Sequence, residues 1–93
     1  MTDEKKKTVI RVGGREYTLI SAEPVEYLRR VEHYVDRRLT ETALATHQPQ
    51  PVAAVLTCIS MGDDLLKAQD ENTRLRRELR ALHAQLDAMK PEE

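Results

Sequence analysis

The sequence has no tryptophan and no phenylalanine, and only three tyrosines, Tyr17, Tyr27 and Tyr34. Any core it builds is therefore aliphatic and thin, and a chain of 93 residues has room for one small domain plus one extended element. Its single cysteine, Cys58, excludes an internal disulfide framework and suits a reducing compartment. No apolar run approaches membrane-spanning length. The polar start, Met1 to Lys7, leads into a strand pattern and has no signal-peptide character. A soluble, cytoplasmic protein with no membrane partner is expected. A surplus of positive charge is missing too: 15 basic and 16 acidic residues give a formal charge of -1. Arg76, Arg77 and Arg80 are interleaved with Glu78, so no basic stripe for nucleic acid forms.

Catalytic and metal-binding sets are also missing. His33, His47, His83 and Cys58 do not have zinc-site spacing. Gly13-Gly14 is followed by neither a Walker pattern nor a dinucleotide fingerprint. Asp63-Asp64 lies on a helix, beside Lys67, as a solvated face. The expectation is a protein with no enzymatic activity, no cofactor, no metal and no small-molecule substrate.

What the sequence does have is a seven-residue repeat. Val52 to Met89 reads as one long helix, uninterrupted by proline beyond its start. Cys58, Met61, Leu65, Ala68, Asn72, Leu75, Leu79, Leu82, Leu86 and Met89 are spaced alternately three and four apart, the a/d seam of a coiled coil. At 1.5 Å per residue the rod is roughly 55 Å long, more than the rest of the chain can cover, so a second chain is expected along it. Asn72 occupies an a position. It either pairs with its counterpart and fixes register or sits partly hydrated near the mouth of the bundle. Glu71 and Glu78 fall at g, Arg76 and His83 at e, which weakly favours parallel pairing within a dimer. A second apolar stripe through Val52, Ile59 and Leu66 predicts that residues 52–66 also pack on the rest of the chain, leaving 67–89 as coiled coil. Gly62 marks either a close approach of another backbone or a tolerated weak point.

The remainder reads as an α+β head over residues 8–51, between a disordered tail at 1–7 and the long helix; residues 90–93 form a second tail. Thr8 to Val12 and Tyr17 to Ile20 are short β-branched runs around Gly13-Gly14, a hairpin signal. Alternation puts Ile10 and Val12 on one face and Val9 and Arg11 on the other. Ser21 is the candidate helix cap and Pro24 lies in the first turn. Val25, Leu28, Val31, Val35, Leu39 and Ala43 make one helical stripe. Glu26 with Arg30 and Arg37 with Glu41 are candidate i,i+4 ion pairs, as are Asp63–Lys67, Asp70–Arg74 and Arg74–Glu78. His47-Gln48-Pro49-Gln50-Pro51 breaks the chain between two helices, which the short connection predicts to be antiparallel neighbours.

Four stretches in this order resemble the ZapA family of bacterial cell-division proteins: Val9 to Leu19 with its Gly13-Gly14-Arg15-Glu16 turn, Glu26-Tyr27-Leu28 leading to Val35-Asp36, Val55-Leu56-Thr57-Cys58-Ile59, and Asp63-Asp64-Leu65-Leu66-Lys67. The family often has Asn, Ala and Glu where Cys58, Gly62 and Asp64 stand. The resemblance implies a head that dimerises through its hairpin and helix, and two dimers joined through the long helices into a homotetramer. It implies a cytoplasmic protein at the midcell division ring that binds FtsZ, cross-links or bundles its protofilaments and has no catalytic role. On that reading Arg15, helped by Glu16 and Arg11, faces an acidic FtsZ surface; the alternative for Arg15 is a solvated turn residue. The rival function is a generic coiled-coil adaptor for another protein.

Overall fold

The computed structural model describes residues 4–90. Strand β1 (Lys6–Val12) pairs antiparallel with β2 (Arg15–Ser21), and helices α1 (Val25–Thr46) and α2 (Gln50–Ala88) follow. The architecture is the expected α+β order of hairpin, helix and long helix. Contacts divide the chain after Cys58. The head is the hairpin, α1 and the first turns of α2; the rest of α2, from Ile59, is a second unit.

The hairpin turn is two residues long, Gly13 and Gly14, with φ of 63° and 80°. Two consecutive positive φ values match the right-handed twist of the flanking strands and favour glycine. Register runs from Val12 opposite Arg15 to Lys6 opposite Ser21, so Lys6 and Lys7 belong to the strand and not to a tail. The sequence pattern hid this because their side chains are polar and exposed, whereas pairing is a backbone property. Residues 1–3 of the expected N-terminal tail and 91–93 of the C-terminal one lie outside the described residues. Thr8 and Ile10 are buried on one face of β1, and Val9 is exposed on the other.

Helix α1 packs on β1, with Leu28 and Leu39 buried and Val31 and Val35 half-buried between them. Ser21 does not cap this helix. Its Oγ accepts from the Glu23 amide at 3.0 Å, and the N-cap is Pro24, whose carbonyl accepts from Leu28. The helix ends where His47 turns left-handed, with φ 55° and its amide bonded to Ala43 O. That geometry is commonest with glycine. Within the head, the close backbone approaches are between the two strands and between α1 and β1. The start of α2 buries two small residues one turn apart, Ala53 and Thr57. The Thr57 hydroxyl donates to Ala53 O at 2.7 Å, so its burial leaves no orphan.

Candidate functional site

In a two-residue hairpin the cross-strand hydrogen bonds fall at Val12–Arg15, Ile10–Tyr17 and Thr8–Leu19, so the polar groups of Val9 and Arg11 point away from β2. Side chains meet them there. Arg29 Nη1 donates to Val9 O at 3.0 Å, the Arg11 amide donates to Glu32 Oε2 at 2.6 Å, and the Gly13 amide donates to Asp36 Oδ1 at 2.8 Å. Gln50 Nε2 closes the row by donating to Gly13 O at 2.8 Å. Unsatisfied strand edges are templates for unwanted pairing; here α1 and the first residue of α2 occupy that edge of β1. The Arg11 amide holds the Glu32 carboxyl below its usual range; desolvation opposes this, and Arg29 reinforces it. Sequence reasoning did not find this row. Its trace is the spacing of Arg29, Glu32 and Asp36 along one flank of the apolar stripe.

The row fixes the turn, and with it the three residues expected to meet a partner. They do not form one patch. Arg11 and Glu16 are register partners on the outer face and make an exposed ion pair of 3.3 Å. Arg15, opposite Val12, is on the other face. There it lines a hollow with Val12, Tyr17, Leu39, Gln50, Pro51 and Ala54. The walls are largely aliphatic and one guanidinium stands at them, a surface suited to an apolar side chain next to a carboxylate.

Nine of the ten seam residues, Cys58 to Leu86, lie on one continuous helix at the predicted spacing, and Met89 follows just past its end. Leu65, Leu75, Leu79, Leu82, Leu86 and Met89 are 50% to 79% exposed in the single chain. Cys58, expected as a buried seam residue, is exposed as well. Ile59 and Leu66, from the second apolar stripe, are each 63% exposed in the single chain, whereas Ala53 and Thr57, on a different face of α2, are buried. Ala68 and Asn72 are smaller than the flanking leucines and leave a shallow depression bordered by Leu65, Gln69, Thr73 and Arg76.

Charges beside the seam are organised within the helix. Lys67 pairs with Asp63 at 3.0 Å, which raises the Lys67 pKa. Arg74 joins Glu71 and Glu78, not Asp70. Its hydrogen bond lowers the Glu71 pKa and its own is raised in turn. Both predicted g-position glutamates are thus engaged by one arginine of their own helix. On α1 the expected pairs Glu26–Arg30 and Arg37–Glu41 are absent among the described residues. Arg37 and Arg38 instead each place a guanidinium 5.6 Å from the centre of the Tyr34 ring. Among the described residues no group of His, Cys, Asp and Glu is arranged to hold a metal, and no helix is long and apolar enough to cross a membrane.

Comparison with known proteins matches residues 8–92 to the family described as Cell division protein ZapA. Relatives of that name from Geobacillus thermodenitrificans and Geobacillus kaustophilus are 34% and 33% identical over 84 residues, 86% of this chain and 90% of each relative. Among solved structures, a ZapA mutant dimer from Geobacillus stearothermophilus superposes with a TM-score of 0.67 at 31% identity, covering 82% of this chain and 90% of that one.

Proposed function

This chain belongs to the ZapA family of cell division proteins, and from that premise we propose that it binds FtsZ and ties its protofilaments together at the midcell ring. Its role is in cell division; the mechanism is that of a non-enzymatic cross-linker. The observation that carries the reading is the exposed row from Leu65 to Leu86 on a helix of 39 residues. Each fully buried leucine is worth about 1.5–3 kcal/mol relative to exposure, so a second copy along this row is strongly favoured. The solved relative is itself a dimer, which supports self-association of this chain as a homodimer, and two dimers joining through their long helices would make a tetramer. An assembly with more than one head is multivalent. Along a polymer that repeats the same site, linked weak contacts gain avidity of about 10²–10⁴ without any new interaction.

The Arg15 hollow is the proposed FtsZ contact, with the Arg11–Glu16 pair exposed on the opposite face of the same turn. An exposed arginine beside aliphatic walls fits the central-anchor pattern of protein interfaces. The test is co-sedimentation of FtsZ polymers with wild type and Arg15→Glu. The expected result is about a tenfold loss of binding with unchanged mass and helicity. Undiminished pelleting of Arg15→Glu would remove the hollow from the contact, and no pelleting of the wild type would favour an adaptor for a different protein.

A further inference from the structure

Helix α1 turns a second surface to solvent that the FtsZ reading does not use. Tyr27, Arg30, Tyr34 and Arg37 recur three, four and three residues apart, so they line one face opposite the apolar stripe. This chain has three aromatic residues, and two of them are here, 46% and 38% exposed. Tyr34 is fixed in place. Arg38 Nη1 donates to its hydroxyl at 2.7 Å, and the Arg37 and Arg38 guanidinium groups approach its ring. Among the described residues neither Arg30 nor Arg37 has a carboxylate partner, although Glu26 and Glu41 are at helical spacing from them. A planar cation held against an aromatic ring keeps its outer edge available to a carboxylate.

We infer that this face binds an acidic peptide segment, with Tyr27 and Tyr34 as the apolar platform and Arg30 and Arg37 as the carboxylate partners. Three arguments select that occupant. The first is charge: two uncompensated guanidinium groups are set on a chain whose formal charge is -1. The second is self-exclusion. An antiparallel two-fold pairing of this face with itself, centred near Tyr34, sets Arg30 against Arg37 or Arg38 and Glu26 against the Glu41 end. A parallel pairing sets each residue against its own copy. Like charges meet in both, which disfavours a second copy here. The third is length. Glu26 and Glu41 close the two ends of the stripe, about 22 Å apart at 1.5 Å per residue. A nucleic acid strand or an anionic bilayer runs on into both carboxylates, whereas a short segment fits between them. Arg30 and Arg37 are about 10 Å apart along the axis. Carboxylates at i and i+7 of a helix have that spacing on one face.

The test uses the full chain and a fluorescent helical peptide carrying two glutamates seven residues apart with leucines between them. Binding is followed by anisotropy, and duplex DNA and phosphatidylserine vesicles are the competing probes. The expected result is binding that weakens as salt rises. It falls about tenfold in Arg30→Glu/Arg37→Glu, falls less in the milder Arg30→Gln/Arg37→Gln and in Tyr34→Ala, and is unchanged in Arg15→Glu. Helicity and mass of every variant are checked alongside. Absence of peptide binding at low salt overturns the inference, as does equal binding by the two arginine variants, or tighter binding of DNA or vesicles through the same arginines. The Arg15 arm keeps this outcome separate from the FtsZ reading.

Discussion

The Gly13 amide donates to Asp36 Oδ1 at 2.8 Å, across 23 residues of sequence. This bond ties the tip of the hairpin to the middle of α1. Gly13 is also pressed from the other side: a Cβ there would meet the Gln50 side chain and lie 2.9 Å from Leu39 Cδ2, whereas a Cβ on Gly14 would meet nothing. Both glycines have positive φ, so alanine at either position carries the left-handed penalty of about 1–2 kcal/mol. Only Gly13→Ala must also displace its neighbours. Urea unfolding at fixed protein concentration is expected to show Gly13→Ala losing at least about 1 kcal/mol more than Gly14→Ala. Equal losses would mean that the turn is not clamped. Asp36→Ala is expected to cost about 1–3 kcal/mol by orphaning the amide, with Asp36→Asn retaining part of it.

Glu32 gives the head an acid limit. Its carboxyl is held below the usual range, first by the Arg11 amide. The unfolded chain therefore takes up the proton at a higher pH than the folded chain does, and stability falls as pH falls. The contribution is complete above the ordinary glutamate pKa of about 4.3 and is lost as pH drops through the lower folded value. The stability difference between wild type and Glu32→Gln is expected to be constant near neutrality and to shrink below about pH 4. A difference unchanged from pH 7 to pH 3 would show that the bond does not discriminate between the charge states.

Gly62 lies in α2 beside the seam residue Met61, and a Cβ there meets nothing within 4 Å. Alanine relieves the helix-propensity deficit of glycine, about 1 kcal/mol. Gly62→Ala is expected to raise the melting temperature by several degrees with no change in mass by light scattering. A fall in mass would place a partner backbone against this position.

The parts of this architecture legible in the sequence are those that depend on local period and turn chemistry. Gly13-Gly14 marked the hairpin, the stripe from Val25 to Ala43 marked α1, and the heptads marked α2. What was not legible depends on tertiary choice. Nothing in the order of residues says that Arg29, Glu32 and Asp36 reach main-chain atoms of β1, because that requires the angle at which α1 crosses the strand. Spacing rules assigned Arg37 to Glu41 and Arg74 to both Asp70 and Glu78, and of these only Arg74–Glu78 forms among the described residues. Exposed i,i+4 pairs are worth so little that the Tyr34 ring and the i,i+3 partner Glu71 compete successfully. Arg15 was singled out by type and position, but the hollow it lines draws on Leu39, Gln50, Pro51 and Ala54, residues brought there only by the fold.

The proposed cross-linker depends on the exposed α2 seam joining heads, and Leu79→Glu tests this most directly when FtsZ pelleting is read at two speeds. High-speed sedimentation recovers everything bound to polymer, and low-speed sedimentation recovers only bundles. A charge at Leu79, itself 53% exposed in the single chain, opposes pairing of the seam while leaving the head intact. The predicted result is retained high-speed co-sedimentation, lost low-speed pelleting and a smaller mass by light scattering. Wild-type bundling by Leu79→Glu, or a wild-type mass of 10.7 kDa at micromolar concentration, would contradict it.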